Sequence, residues 1–117
     1  MKAESFSISS RIYPNEDRLI VRKIGDSCIT AVLADGMGGL SLGHLAADVV
    51  TKSVTDFLIV HYQGCDEQVI LHKALDYADQ ELRKVSIRKR SNMGTAVAVA
   101  IVTGRHLYYT WQVGCKI

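Results

Sequence analysis

The stretch from Ala34 to Ala47, which reads Ala-Asp-Gly-Met-Gly-Gly-Leu-Ser-Leu-Gly-His-Leu-Ala-Ala, constrains the fold of this chain more than any other. An apolar run from Ile29 to Ala34 ends in Asp35-Gly36, and three glycines occur within positions 36 to 39. An Asp-Gly pair after a strand is typical of a hairpin, but a helical pattern follows where a second strand would be needed. Since glycines let the backbone double back, the stretch predicts a strand, a turn and a helix.

Such a turn can direct a carboxylate and a bare carbonyl toward one point outside the sheet. The carboxylate belongs to Asp35 and the carbonyl to Gly36. Oxygen ligands of this kind suit hard cations such as magnesium or manganese. The stretch alone therefore favours a metal or phosphate site, and a purely structural turn is the alternative.

Strand patterns occupy both ends of the chain. Residues 18 to 24 and 28 to 34 are rich in aliphatic residues, and Gly25-Asp26-Ser27 between them is typical of a tight turn. Residues 94 to 102 alternate alanine with valine and isoleucine, which predicts a strand covered by helices on one face and by a second sheet on the other. A last strand is predicted over 106 to 113.

Two helical patterns lie between these strands. From 41 to about 62 the apolar residues recur at helical spacing, and we expect Gly64 to end this helix. A second helix is predicted over about 66 to 85, with an inward face formed by Val69, Ile70, Ala74, Leu75, Ala78 and Leu82. Strands, two helices and strands again predict a sheet with an antiparallel helix pair on one face.

The composition excludes several classes of protein. The 117 residues amount to one domain or a piece of one, and the formal net charge of +2 is too small to indicate nucleic acid or a membrane as partner. The locally basic run from Arg83 to Arg90 lacks interleaved aromatic residues, so it is typical of a solvated helix end. No apolar run has membrane-spanning length, and residues 1 to 10 lack the apolar core of a signal peptide. The three scattered cysteines form no Cys-x-x-Cys and predict a reducing, cytoplasmic location.

Three segments resemble the metal-dependent protein serine/threonine phosphatases of type 2C, the PPM family. Asp35-Gly36-Met37-Gly38-Gly39 resembles the family signature, and Asn15-Glu16-Asp17 resembles the acidic motif on its first strands. Met93-Gly94-Thr95-Ala96 resembles the family's Gly-Thr-Thr-Ala strand. Gln112-Val113-Gly114 resembles the start of an Asn-Val-Gly-Asp-Ser-Arg motif, and the match ends at Cys115, where that motif has aspartate.

The resemblance implies an α+β fold in which an antiparallel β-sandwich is flanked by helix pairs, a four-layer α-β-β-α arrangement. Residues 1–117 would then be a partial type 2C phosphatase-like domain, about its N-terminal half, with the C-terminal half missing. The apolar faces of the strands at 94 to 102 and 107 to 113 would need a cover. We therefore expect either self-association or a missing C-terminal half.

The resemblance also implies a set of site residues. Asp35 would bridge two divalent ions, Mg or Mn, with the Gly36 carbonyl as an inner ligand and Glu16 binding one ion through water. Asp17 would hold that water and the strand. The catalytic candidates are therefore Asp35 and Glu16, and the predicted metal set consists of these two residues together with Gly36 and Asp17. Arg11 lies one position further from Glu16 than the family's phosphate-binding arginine, so phosphate binding and an ordinary surface role stay equal alternatives.

The implied reaction is hydrolysis of phosphoserine or phosphothreonine in a phosphorylated protein substrate by metal-activated water, in a bacterial-style enzyme without a phospho-enzyme intermediate. The alternative is a catalytically inactive phosphatase-like binding or regulatory module, such as a homodimer. Cys115 favours this alternative because a thiol is a poor ligand for magnesium, whereas Asp35 and Glu16 favour the phosphatase. An unrelated α/β binding domain is the third possibility.

Overall fold

The computed structural model describes residues 17–36 and 42–113, which form a four-stranded antiparallel sheet and two helices. The elements in chain order are β1 (Asp17–Ile24), β2 (Cys28–Gly36), α1 (Gly43–His61), α2 (Glu67–Lys89), β3 (Thr95–Val102) and β4 (Leu107–Val113). The order of strands across the sheet is β1-β2-β3-β4, and every neighbouring pair is antiparallel. The α+β class and the sequence of elements confirm the prediction.

The β1–β2 hairpin forms as predicted, and its turn depends on Gly25. The φ angle of Gly25 is 65°, a left-handed conformation that a residue without a Cβ adopts without a clash. Ile24 pairs with Cys28 next to the turn, and Asp17 pairs with Asp35 at the other end. The hairpin therefore stays in register over its whole length.

The first helix ends close to the predicted position near residue 62, but Gly64 does not end it. α1 ends at His61, three residues before Gly64, because Tyr62 adopts an extended conformation with φ −74° and ψ 124°. Gly64 lies in the following turn with a φ of 86°. The glycine thus serves the turn between the helices and does not cap the first one.

The second helix ends later than its sequence indicates. α2 continues to Lys89, not Val85, and stops where Arg90 adopts a left-handed conformation with φ 52°. The Arg90 N–H donates to the carbonyl oxygens of Ile87 and Ser86. Because neither glycine nor proline marks this position, the sequence carries no common stop signal.

The core lies between the sheet and the helix pair. Its fully buried side chains come from both layers and include Val32, Val99, Ile101, Val50, Val54, Leu58, Leu71 and Leu82. The predicted inward face of α2 is wrong at Val69, which is 54% exposed. Leu71 is buried in its place, and two residues correspond to a rotation of about 200° around a helix. Neither α1 nor α2, in the described part of the chain, is long and apolar enough to cross a membrane.

The face of the sheet opposite the helices is apolar, and none of the described residues covers it, so we call it the open face. Its two middle rows, set by the strand register, are Leu19, Leu33, Ala98 and Trp111, followed by Val21, Ala31, Ala100 and Tyr109. Leu33 is 47% exposed and Trp111 69% exposed. The described residues supply one sheet and one helix pair, two of the four expected layers, so the cover predicted for the second face of β3 stays a prediction.

Two buried titratable side chains meet at the end of the core next to the β1–β2 turn. Burial, and next the charge of Glu67, raise the pKa of the Cys28 thiol, while a hydrogen bond with Tyr62 lowers it. Burial, and next the charge of Glu67, raise the pKa of Tyr62 from 10.0 to about 12. Both groups therefore stay neutral at physiological pH.

The raised pKa of Tyr62 predicts that the folded state loses stability as the pH rises from 10.0 toward about 12. In this window the unfolded chain has released the Tyr62 proton and the folded chain has not, so the unfolded state binds fewer protons and gains stability with pH. The difference between a pKa of 10.0 and one of about 12 corresponds to at most about 3 kcal/mol of unfolding free energy. Urea unfolding below pH 10.0 and near pH 12 should show that Tyr62→Phe loses less unfolding free energy with rising pH than the wild type does. The exposed control Tyr109→Phe should behave like the wild type, and equal losses in all three proteins would contradict the prediction.

Candidate acidic site at the sheet edge

Four strand ends meet at one edge of the sheet. Because neighbouring strands are antiparallel, β1 and β3 begin where β2 and β4 end. α1 follows β2, and α2 leads into β3, so one helix begins and the other ends on this side of the molecule. We call this edge, which contains Asp17, Asp35, Gly36, Thr95 and Ala96, the acidic edge.

Two carboxylates oppose each other at the acidic edge. The register pairs Asp17 with Asp35, and Asp35 with Ala96. Directly paired residues on adjacent antiparallel strands project from the same face, with Cβ atoms about 4.5–5.5 Å apart. Both aspartates are exposed. Two carboxylates at such positions can share one cation, because the charge of the ion offsets their mutual repulsion.

The structure brings three of the predicted site residues together. Asp17, Asp35 and Gly36 lie at the acidic edge, and Gly36 is the buried last residue of β2, paired with Thr95. Asp17 was expected to hold a metal-bound water and the strand, and it is the residue that the register pairs with Asp35. The predicted Glu16 and Arg11 lie outside the described residues.

The described residues supply only part of a metal site. Within 17–36 and 42–113, no group of three or more His, Cys, Asp or Glu side chains is placed to hold a metal ion. The contribution of this part of the chain to the acidic edge is thus two carboxylates and one carbonyl. Magnesium and manganese accept such oxygen donors and complete their coordination with water.

Thr95 fixes the backbone at the end of β2, where Asp35 lies. Its hydroxyl oxygen, fully buried, lies 2.8 Å from the Asp35 carbonyl oxygen and 2.9 Å from that of Ala96. The single hydroxyl proton serves one acceptor at a time, and the bond to Asp35 joins β3 to β2. Sequence reasoning identified Thr95 within a motif but gave it no role. The available signal was a lone hydroxyl residue at the start of an apolar strand.

The start of α1 adds a positive partial charge to this side of the molecule. Leu42 precedes the helix in a left-handed conformation with φ 58°, and no side chain of the described residues caps the first turn. The Ala46 N–H donates to the Leu42 carbonyl at 3.0 Å, and no acidic residue occupies that turn. Unbonded N–H groups at a helix start favour negative charge. The arrangement therefore suits a divalent cation together with an anionic ligand such as phosphate.

The hydrogen bond from Thr95 predicts that Thr95→Val destabilises the fold by about 1–2 kcal/mol, because the part-buried Asp35 carbonyl loses a donor. Thr95→Ser keeps the hydroxyl and should cost less. Thr103→Val is the matched control, since the Thr103 hydroxyl pairs with His106 in an exposed turn. Urea unfolding measures the costs, and amide exchange at Gly36 should quicken only in Thr95→Val. A loss of unfolding free energy that is larger in Thr95→Ser than in Thr95→Val would show that the methyl group of Thr95, and not its hydroxyl, stabilises the fold.

Comparison with protein families gives one finding for this chain. A family model described as Protein phosphatase 2C matches residues 8–114, a range that includes every strand and helix from β1 to β4. The matched range contains Asp17, Asp35 and Thr95. A search among curated proteins finds no match.

Proposed function

Because the chain belongs to the protein phosphatase 2C family, we propose that it is the N-terminal part of a metal-dependent phosphatase that hydrolyses phosphoserine and phosphothreonine in proteins. The observation that carries this proposal is the register of β1 and β2, which sets Asp17 opposite Asp35 at the acidic edge. In a chain of this family, two opposed carboxylates at the ends of neighbouring strands are expected to be part of a divalent-metal site. The acidic edge is therefore the proposed catalytic centre.

The donor set at the acidic edge fits a hard divalent cation, magnesium or manganese. Asp17 and Asp35 provide carboxylate oxygens and Gly36 a carbonyl oxygen, and Glu16, adjacent to Asp17 in the sequence, is the proposed additional ligand. Bound ions of this kind supply water of lowered pKa and neutralise phosphoryl oxygens.

The chain's own residues have distinct proposed roles. Asp35 would hold the ions through its carboxylate, and Asp35 and Glu16 are the proposed catalytic residues. The Thr95 hydroxyl positions Asp35 by donating to the Asp35 carbonyl oxygen, so the Asp35 carboxylate projects from a fixed backbone. Arg11 is proposed to grip the substrate phosphate, because a guanidinium fork matches its oxygens.

A second candidate function follows from the small number of ligands. Two carboxylates and one carbonyl in the described residues are few for two divalent ions, and Cys115 replaces an aspartate of the family motif. The second candidate is thus a catalytically inactive phosphatase-like binding or regulatory module. A cytoplasmic location is proposed for either function, since the cysteines are scattered and odd in number.

We expect weak manganese binding centred on Asp35. In a manganese titration followed by NMR, paramagnetic broadening should be strongest at Asp17, Asp35 and Gly36. Asp35→Ala should abolish this broadening because it removes the central carboxylate. Asp26→Ala, in the turn at the opposite end of the hairpin, removes the same charge and should leave it intact. Broadening that is unchanged in Asp35→Ala would remove the proposed metal site.

The same preparations test whether the chain by itself is a competent phosphatase. Hydrolysis of para-nitrophenyl phosphate by the 117-residue chain with manganese should lie near background and show no response to Asp35→Ala. The reason is that a second ion is poorly held by so few carboxylates. Manganese-dependent turnover abolished by Asp35→Ala would instead establish the chain as a competent phosphatase and exclude the inactive module.

The open face supports a proposal about partners. Four strands spaced about 4.8 Å apart and about 25 Å long give this face roughly 480 Å². Two copies stacked face to face would bury about 1,000 Å², the lower limit of a specific interface. We propose that the 117-residue chain associates with a second copy through the open face, which the C-terminal half of a complete family domain would otherwise cover. A phosphorylated protein is the proposed substrate.

Self-association predicts a concentration-dependent change at Trp111, the one tryptophan of the chain. Its emission should shift to shorter wavelength as micromolar protein forms dimers, because stacking removes the indole from water. Leu33→Lys, in the middle of the open face, should abolish both the shift and the dimer seen by sedimentation. Ile87→Lys, on the outer side of α2 and 71% exposed, is the control and should change neither. A monomer with constant Trp111 emission at all concentrations would contradict the proposal.

A further inference from the structure

The end of α2 carries three consecutive exposed cations, Arg88 to Arg90. Two earlier cations of this helix are neutralised, because Arg83 pairs with Asp79 at 3.2 Å and Lys84 pairs with Glu81 at 3.4 Å. Within the described part of the chain, Arg88 to Arg90 form no ion pair. These three residues together with Ser91 and Asn92 are named the basic turn.

The backbone of the basic turn is firmly held. The Ser91 N–H donates to the Ser86 carbonyl at 3.2 Å, and the Ser86 hydroxyl donates back to the Ser91 carbonyl. The Arg90 N–H donates to Ile87, also at 3.2 Å. A shallow depression lined by these residues and Asn92 lies beside the Arg90 side chain. Cations and amide or hydroxyl donors are thus presented together on an ordered segment, which is the chemistry that carboxylates and phosphates require.

The basic turn lies at the same end of the sheet as the acidic edge. Five residues lead from Arg90 to Thr95, the first residue of β3, and Thr95 pairs with Gly36. Five residues span at most about 17 Å, and Met93 between them is fully buried in the core. An extended peptide covers the same distance in about five residues. One ligand peptide can therefore reach both places.

We propose that the basic turn docks acidic residues of a phosphorylated protein segment, about three to six positions from the phosphoresidue bound at the acidic edge. This inference rests on the proposed function, since it names the class of substrate for the same site. A peptide fits better than nucleic acid because the cations are few, the turn carries no aromatic residue on which bases could stack, and the chain's net charge is only +2.

The test measures binding of fluorescein-labelled phosphoserine peptides to the whole 117-residue chain by anisotropy, with manganese present. One peptide carries aspartates three to six positions from the phosphoserine, and the other carries asparagines there. The variant Arg88→Gln/Lys89→Gln/Arg90→Gln should weaken binding of the aspartate peptide about tenfold, as expected for three exposed charge contacts. It should leave the weaker binding of the asparagine peptide unchanged.

The matched control is Arg22→Gln/Lys23→Gln/Arg105→Gln, which removes three exposed cations at the opposite end of the sheet. This control should weaken binding of the aspartate peptide less than about twofold, because charges far from the bound segment are screened. Circular dichroism and thermal unfolding establish that both triple variants fold. Equal losses in the two triple variants would reduce the effect to diffuse charge attraction and overturn the proposal.

Two further measurements complete the design. Single-stranded RNA that binds more tightly than the aspartate peptide, and loses binding in the same triple variant, would make the turn a nucleic-acid surface and overturn the proposal. An unphosphorylated aspartate peptide should depend on the basic turn equally in the wild type and in Asp35→Ala. If manganese binds but aspartate-peptide binding does not depend on the basic turn, only the docking proposal is refuted. If aspartate-peptide binding depends on the basic turn but manganese does not bind, only the proposed function is refuted.

Discussion

The pairing of β2 with β3 is the interaction on which the rest of the structure depends. It joins Asp35 to Ala96 and Gly36 to Thr95 across about sixty residues of chain, and the Thr95 hydroxyl bond to Asp35 belongs to it. A slip of one residue would invert every side chain of a strand. The buried Val32 or Val99 would then point into the open face, and Asp35 would face the core. The burial of those valines therefore fixes the position of the acidic edge.

The acidic edge and the open face are parts of one surface. Asp17 and Asp35 form the row next to Leu19 and Leu33 on the same side of the sheet. A shallow depression lined by Leu33, Asp35 and Trp111 connects the two. A layer that covered the apolar rows would also lie beside the aspartates. The proposed cover of the open face and the proposed metal site would therefore share one surface, where a layer that excludes water also strengthens the charges near it.

Local sequence patterns were sufficient for most of the fold. The hairpin around Gly25, the alternation of β3 and the amphipathic α1 follow from short-range rules, and all three form as predicted. The errors occur where tertiary contacts decide. α2 continues past Val85 because Arg90 accepts a left-handed conformation, and Val69 is exposed because the inward stripe of α2 runs through Leu71. Residue types alone do not specify either outcome.

The sequence by itself determined the elements, their order and the residues that resemble a phosphatase signature, because these depend on neighbours along the chain. Only the tertiary structure set Asp17 directly opposite Asp35, assigned Thr95 its role and put the basic turn at the same end of the sheet as the acidic edge. These juxtapositions depend on strand register and helix packing. Register and packing are chosen by burying the core as a whole, a condition that no local segment of the chain contains.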